Sequence, residues 1–129
     1  MKAIKGIGVD IVNNQRMLNI IKAQYAERFL VKVLHPSEIE QFKGKSTIQL
    51  QQQFLASRWA VKEALVKASS FKELVFPEVE ICRKHDKPNI VLHNTNLEYF
   101  KKNFGNDYEI QVSISHEDSY SIGFVILQI

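Results

Sequence analysis

The most extended pattern of hydrophobic and polar positions in the chain is helical and covers residues 47–71. No glycine or proline interrupts it, and most of its residues favour helix. At about 100° per residue, its apolar positions form a stripe expected to face the core, made of Leu50, Phe54, Val61, Leu65 and Ala68. Arg58, Lys62 and Ser69 are expected to form a narrow polar wedge beside it. The pattern predicts one long central helix.

Glu63 and Lys67 fall on the opposite side of this helix, among apolar residues. A carboxylate there needs a partner, because an unpaired buried charge is very costly. Lys67 is the simplest partner, since Glu followed by Lys one turn later stabilises helices. The alternative is that Glu63 binds a metal ion with a second carboxylate while Lys67 contacts a phosphate.

The start of the chain alternates as a strand over residues 4–12. Its apolar side chains share one face: Ile7, Val9 and Ile11. The other face carries only Gly6 and Gly8 before Asp10, so another segment can approach the backbone closely there. Taken alone, Asp10 is most simply a cap for the helix that follows.

The remaining patterns predict the order strand, three helices, two strands, helix, two strands. The further helices are expected at 13–30, after His35, and at 94–104, and the further strands at 79–83, 89–93, 108–116 and 120–129. Pro36 at the first helical position and Glu38 three residues after His35 match a capping box. This order predicts an α+β fold with a mostly antiparallel sheet packed against helices.

Composition restricts the class of protein. The 129 residues predict one domain, 1–129, and 45% hydrophobic with 24% charged residues is typical of soluble globular proteins. No apolar run approaches a membrane span and no signal peptide is evident, so we expect a cytoplasmic protein or a mature chain of an organellar matrix or stroma, not a secreted one. The single cysteine, Cys82, excludes an internal disulfide. The net charge of +3 suits an acidic partner or a phosphorylated ligand and is weak evidence for nucleic acid.

Three blocks of sequence, taken in order, resemble one family. Residues 6–12 (GIGVDIV) resemble its opening strand, and residues 112–116 (VSISH) its C-terminal strand. Residues 54–68 contain its helical signature W/F-A-x-K-E-A-x-x-K-A intact, and Lys87-Pro88 matches a weaker position. The chain is similar over its whole length to the short holo-[acyl-carrier-protein] synthase type of 4′-phosphopantetheinyl transferase.

The resemblance implies a reaction that belongs to fatty acid biosynthesis. A serine hydroxyl of an apo acyl carrier protein attacks the β-phosphate of coenzyme A, the phosphopantetheine arm moves to the serine, and 3′,5′-ADP leaves. Such chemistry requires a divalent ion across the pyrophosphate, here Mg²⁺, held by carboxylates and waters. It also requires cations that offset the charge of the phosphates.

The same resemblance implies roles for individual residues. Asp10 and Glu63 match the metal carboxylates, and Lys67 matches the lysine that contacts the pyrophosphate and assists the leaving group. Residues expected to bind coenzyme A are Arg58, Lys62, Lys67, Pro88 and His116. Three residues are implied to be catalytic: Glu63, Lys67 and His116. The base that deprotonates the serine stays open between Glu63, a metal-bound water and His116.

The resemblance also implies partners. Arg16, Arg28 and Lys32 match basic positions that dock the acidic carrier protein, an arrangement that electrostatic steering favours. Short members of the family are homotrimers with shared coenzyme A sites. A small domain whose long helix is apolar on two sides fits that assembly. Asp10, Glu63 and Lys67 would then belong to one subunit, and Pro88 and His116 to the next.

Two departures from the family pattern leave alternatives open. The segment after Ala68 lacks the usual glycine-rich loop, so the helix is expected to run on, and Asn13 stands where an acidic residue is common. The main alternative is therefore a degenerate member that binds coenzyme A or carrier protein without transfer. A second is a small RNA-binding module, which would need more exposed aromatic residues than Tyr108 and Tyr120. A structural protein with only an ion pair between Glu63 and Lys67 is the third.

Overall fold

The longest helix, α4 (Ile48–Ser69), packs on the three-stranded sheet and on the three helices that precede it in the computed structural model, which describes residues 1–129. In chain order the elements are β1 (Ile4–Asn13), α1 (Asn14–Ile21), α2 (Ala26–Val33), α3 (Pro36–Lys43), α4 (Ile48–Ser69), β2 (Val79–Lys84), β3 (Lys87–Leu92), α5 (Asn94–Phe104), β4 (Glu109–His116) and β5 (Tyr120–Gln128). A turn of 3₁₀ helix, Phe76–Glu78, precedes β2. Neither α4 nor any other helix combines the length and the apolar character that crossing a membrane requires.

The predicted α+β class and antiparallel pairing are confirmed. Strands β1, β5 and β4 form one antiparallel sheet in that order, and β2 and β3 form a separate hairpin. The hairpin turns through His85 and Asp86, both with positive φ, as a two-residue loop of the primed type requires. The capping box of α3 is present, with the His35 ring accepting from the Ser37 amide.

The single helix predicted for residues 13–30 is wrong. Two helices, α1 and α2, occupy the region and are separated at residues 22–25. The amide of Ala23 donates to the carbonyl of Ile20, three residues back, so the last turn tightens and α1 ends. No glycine or proline marks the break. The division lets Met17 of α1 and Leu30 of α2 both reach the core beside α4.

The close approach predicted at the glycine face of β1 is confirmed, and the approaching segment is the α4 backbone. A Cβ atom at Gly6 or Gly8 would overlap the carbonyl oxygens of Ala68 and Ala64, respectively. On β5, a Cβ at Gly123 would lie 2.6 Å from the amide nitrogen of Val61. These glycines therefore let α4 lie directly on the sheet and fix the height of its side chains above β1.

We expect Gly8→Ala to lower the free energy of unfolding by about 1–3 kcal/mol, because the added methyl meets backbone that cannot move aside cheaply. Urea denaturation measures the effect. Gly44→Ala is the matched control, since Gly44 ends α3 with φ −79° and an added Cβ would have no neighbour closer than 3.5 Å. Equal stability of the two variants would contradict this account of the glycine face.

Helix α4 is buried on more sides than the predicted stripe required. One apolar cluster packs it against β2, β5 and α5 and includes Val61 and Leu65, and a second packs it against α1, α2 and α3 and includes Leu55 and Ala60. Leu50, placed in the stripe by its spacing, is 44% exposed. The expected run of α4 to residue 71 is also wrong, because the helix ends at Ser69.

The end of α4 is built without glycine. Ser70 takes the left-handed conformation, with φ 59° and ψ 15°, which ordinarily favours glycine because a Cβ is strained there. The Ser69 hydroxyl donates to the Leu65 carbonyl at 2.7 Å and accepts from the Phe71 amide at 3.1 Å. These bonds hold the chain as it leaves the helix, so the turn forms although the expected glycine is missing.

Candidate active site

Asp10, Glu63 and Lys67 come together where α4 crosses the end of the glycine face of β1. The Lys67 ammonium donates to the Val9 carbonyl at 2.9 Å and lies 3.3 Å from Asp10 Oδ1. Helical spacing predicts an ion pair between Glu63 and Lys67. That prediction is wrong, since Lys67 pairs with Asp10 instead. The cap interpretation of Asp10 is also wrong, because Asn13 caps α1 by accepting from the Gln15 amide at 2.9 Å.

Glu63 is half-buried in this group and its carboxylate is electrostatically unfavourable. Burial raises the pKa of Glu63 above its ordinary value, and the nearby charge of Asp10 raises it further. The positive charges of Lys67 and Arg16 act in the opposite direction on that pKa. Two carboxylates therefore share a site in which added positive charge would be stabilising.

The chemistry of this donor set fits a hard divalent cation. Asp10 and Glu63 offer carboxylate oxygens only, and Mg²⁺ prefers one or two carboxylates completed by water and substrate phosphate. The side chain of Asp10 is 21% exposed, so solvent and a phosphate can reach it. The Lys67 ammonium partly neutralises the Asp10 carboxylate, and the side chain of Lys67 is 54% exposed.

A second group of predicted residues lines a cleft of about 470 Å³ on a different side of α4. Arg58 from α4, Pro88 from β3 and His116 at the end of β4 all contribute to it. Lys45 and Arg83 add two further positive charges that the sequence patterns did not indicate. The cleft is therefore a basic site with enough room for part of a phosphorylated ligand.

Arg58 is held in place within this cleft. Its guanidinium lies over the Phe54 ring, 4.1 Å from the centroid, and Nη1 donates to Ser57 Oγ at 3.1 Å. Burial lowers the pKa of Arg58, while the charge of Glu38 raises it. The stacked arrangement fixes the direction of the guanidinium before any ligand binds.

The two groups do not face each other within one chain. Arg58 precedes Glu63 by five positions, so their side chains leave the helix about 140° apart. None of Asp10, Glu63 and Lys67 lines the basic cleft. One copy of the chain therefore presents two separate groups of candidate residues. We call Asp10, Glu63 and Lys67 the first half-site, and Arg58, Pro88 and His116 the second half-site.

Lys62 does not belong to either half-site, and the prediction that it is a surface cation near phosphates is wrong. Its side chain is fully buried, and its ammonium donates to Glu38 Oε1 at 2.6 Å, the Val33 carbonyl at 2.7 Å and the Phe76 carbonyl at 3.0 Å. All three ammonium hydrogens are thus used inside the protein. Glu38 is equally buried and also accepts from the amides of His35 and Ile81.

Comparison with known proteins identifies the family of this chain. The sequence model of the 4′-phosphopantetheinyl transferase superfamily matches residues 6–125. The chain belongs to this superfamily. The holo-[acyl-carrier-protein] synthase of Ehrlichia chaffeensis is 37% identical over 128 residues, which cover 96% of each protein. The resemblance drawn from the three sequence blocks is therefore confirmed, and the chain is an enzyme, a phosphopantetheinyl transferase.

Solved structures of this family share the fold. The crystal structure of holo-ACP synthase from Plasmodium yoelii superposes with a TM-score of 0.83 at 26% identity, covering 99% of this chain and 97% of that one. The holo-[acyl-carrier-protein] synthase of Helicobacter pylori, solved in complex with coenzyme A, has a TM-score of 0.74 at 31% identity, with 94% and 98% covered. The family fold therefore extends across both half-sites.

The basic residues predicted to dock a carrier protein are all exposed on this transferase. Arg16 lies on α1, and Arg28 and Lys32 lie on α2. Val31, between them in sequence, is 61% exposed. Arg16 is also close enough to Glu63 to lower the pKa of that carboxyl, so the basic surface reaches the first half-site.

Proposed function

We propose that this chain transfers 4′-phosphopantetheine from coenzyme A to a serine of an apo acyl carrier protein and releases 3′,5′-ADP. The observation that carries the proposal is the convergence of Asp10, Glu63 and Lys67 at the crossing of α4 and β1. The complex of the H. pylori relative with coenzyme A supports this choice of donor.

Each residue of the first half-site has a role in this proposal. Asp10 and Glu63 would hold Mg²⁺, which would supply positive charge to neutralise the pyrophosphate. Lys67 turns from the Asp10 carboxylate to a pyrophosphate oxygen, because its exposed side chain is free to move and phosphate offers more negative charge. There it stabilises the charge that develops on the leaving 3′,5′-ADP.

The second half-site binds the nucleotide of coenzyme A. Arg58 contacts a phosphate with its stacked guanidinium, and Pro88 and His116 border the nucleotide in the same cleft. His116 is exposed and lies outside the first half-site of its own copy. Burial and the charge of Asp10 raise the pKa of Glu63 in the metal-free site, but an ion bound to Glu63 would compete with that proton. The base in the loaded site is therefore Glu63, a metal-bound water or His116 of a neighbouring copy.

Intact-mass spectrometry tests the transfer directly. An apo acyl carrier protein incubated with this chain, coenzyme A and Mg²⁺ should gain the mass of one phosphopantetheine, and chelation of the metal should stop the gain. Equilibrium binding of coenzyme A is measured in parallel. Binding without any mass gain on the carriers tried would overturn the transfer and favour the degenerate binder.

We infer that a complete site forms between copies of the chain in a homotrimer. The two half-sites lie on different sides of α4, which supports a site in which the second half-site comes from a neighbouring copy. The apolar surface that stays exposed on a single copy is the outer face of the three-stranded sheet. The sequence pattern instead indicates a face of α4 as the surface that a neighbouring copy would cover. The exposed residues of the sheet face on β1 are Ile7, Val9 and Ile11, at 59%, 52% and 58%, and their register partners on β5 are Ile126, Phe124 and Ile122.

A mixing experiment tests the shared site. We expect Glu63→Gln and His116→Ala each to transfer more slowly than the native chain when alone, and to regain transfer when mixed and allowed to exchange subunits, since some interfaces then combine two intact half-sites. Sedimentation equilibrium of the native chain should give the mass of three copies. Activity that is never regained by a mixture that sediments as trimers would show that each site lies within one copy.

We expect Arg16→Glu to weaken binding of the acyl carrier protein about tenfold or more while coenzyme A binding changes little, because steering and docking of an acidic partner depend on this surface. Isothermal titration of each ligand gives both affinities. Lys102→Glu is the matched control, since it reverses the charge of an exposed residue on α5. Equal loss of affinity for both ligands would argue against a docking role.

The RNA-binding alternative has little support in this fold. The outer face of the sheet carries mainly aliphatic residues, and Phe124 and Tyr120 are the two aromatic residues among the paired positions of β1 and β5. Tyr108 is half-buried and Tyr120 lies at the edge of β5. Stacking platforms for bases need several exposed aromatic rings on one face.

A further inference from the structure

A cluster of two histidines and one glutamate lies apart from both half-sites, where the N-termini of α3 and α5 meet β2. The rings of His35 and His93 stack with centroids 4.9 Å apart. His93 Nε2 lies 2.9 Å from Glu80 Oε1, and His35 Nδ1 lies 3.7 Å from Glu80 Oε2. One ligand atom from each residue falls within 4.8 Å of the other two. We propose that His35, Glu80 and His93 bind a transition-metal ion of the Zn²⁺ class.

The ligand types select the ion. Two imidazoles and one carboxylate suit Zn²⁺ and its neighbours, whereas Mg²⁺ prefers oxygen ligands alone. Bonds of about 2.0–2.1 Å in a tetrahedral site place donor atoms roughly 3.3 Å apart. Glu80 Oε1 lies 2.9 Å from His93 Nε2 and Glu80 Oε2 lies 3.7 Å from His35 Nδ1, and one donor atom from each residue lies within 4.8 Å of the others. Side-chain movements of up to about 1.5 Å would bring the three donors to the tetrahedral spacing.

The surroundings prepare the ligands. Ser37 donates its hydroxyl to Glu80 Oε2 at 2.8 Å and so orients the carboxylate, as residues behind a metal ligand commonly do. The lone pair of His35 Nδ1 accepts from the Ser37 amide at 3.1 Å, so the ring has to rotate before this nitrogen can bind an ion. Coordination would replace that bond, while the Glu38 carboxylate continues to cap α3 through the His35 amide.

Accessibility and charge allow an ion to enter. The side chains of His35 and Glu80 are each 23% exposed and that of His93 is 35% exposed, which leaves one side for water as a fourth ligand. Both histidines occupy helix N-cap positions, where the helix dipole opposes positive charge. Glu80 supplies negative charge that offsets this field.

A bound ion would connect parts of the fold that support the basic cleft. Glu80 is followed on β2 by Ile81, Cys82 and Arg83, all of which line that cleft. Coordination by His35 and His93 would tie the starts of α3 and α5 to this strand. The ion is therefore expected to stabilise the fold by an amount that rises with the logarithm of its free concentration above the Kd.

Calorimetric titration of Zn²⁺ into the full chain carrying Glu63→Gln tests the proposal, because that variant disables the carboxylate site. We expect one ion per chain, with affinity at least tenfold weaker when His93→Gln or Glu80→Gln is added. His85→Asn is the matched control: His85 is exposed on the β2–β3 turn with φ 54°, a conformation that Asn tolerates. The control should bind as tightly as its parent.

Nitrogen-detected NMR of the imidazole rings gives a second test, which does not depend on whether the substituted variants fold. The chain has four histidines, and Zn²⁺ should shift the ring nitrogens of His35 and His93 while leaving His85 and His116 unchanged. Shifts at His85 or His116 in their place, no shift at millimolar Zn²⁺, or equal affinity with and without His93 would overturn the site. None of these outcomes depends on transferase activity.

Discussion

Replacing Lys62 with methionine is expected to lower the free energy of unfolding by about 3–5 kcal/mol, because it leaves the Glu38 carboxylate buried without its charged partner. Both side chains are fully buried and their charged atoms are 2.6 Å apart. The same change removes the donor for the carbonyls of Val33 and Phe76, and unsatisfied buried acceptors add to the cost. Urea denaturation with a linear extrapolation measures it.

The exposed ion pair of the chain provides the matched control. Lys43 lies 3.3 Å from Glu27, with side chains 56% and 75% exposed, and Lys43→Met should cost less than about 1 kcal/mol. Adding Glu38→Gln to Lys62→Met should restore part of the lost stability, since the unpaired charge is then removed. If Lys62→Met cost no more than Lys43→Met, the buried pair would not be the connection between α3 and α4 that the geometry indicates.

Lys62 also shows what sequence patterns could not provide. Its position beside polar neighbours on a helical projection predicts exposure, but its partner lies 24 residues earlier in the chain. The pattern around Glu38 predicts only the local bond of the capping box, from one carboxylate oxygen to the His35 amide. Neither local pattern contains the packing of α3 on α4 that brings the two charges together. The buried pair is a tertiary feature, and periodicity does not report it.

The first half-site was more predictable because backbone geometry specifies it. Glycines on one face of β1 predict the close approach of another element, and the uninterrupted pattern of α4 identifies which residues that element carries. Asp10 and Glu63 follow from those two facts and the family motif. The partner of Lys67 did not follow, because spacing along one helix favours Glu63, whereas contact across to β1 gives Asp10.

Replacing Glu63 with glutamine is expected to reduce transfer by about 10²–10³-fold, the range for loss of one group that stabilises charge in the transition state. The same change should slightly stabilise the metal-free protein, by up to about 1 kcal/mol, because the Glu63 carboxylate is disfavoured by burial and by Asp10. Activity and stability therefore change in opposite directions, as expected where a functional site is electrostatically strained. Transfer assays by intact mass and thermal denaturation in EDTA measure the two effects.

The raised pKa of Glu63 gives this prediction a pH dependence with a definite sign. The folded chain holds the Glu63 proton more tightly than the unfolded chain does, so the metal-free protein loses stability as pH rises from the unfolded pKa through the raised folded pKa. Mg²⁺ affinity changes in the opposite sense and weakens as pH falls through that raised value, because the proton competes with the ion. Both dependences should diminish in Glu63→Gln.

Glu98→Gln is the control for this experiment, since Glu98 is exposed on α5 and outside both half-sites. It should leave transfer, metal-free stability and their pH dependence unchanged. A Glu63→Gln variant that lost transfer and also lost stability would mean that the Glu63 side chain stabilises the fold, contrary to the charge effects of burial and Asp10. A variant that kept transfer would remove Glu63 from the metal site, and Asp10 would then need another carboxylate partner.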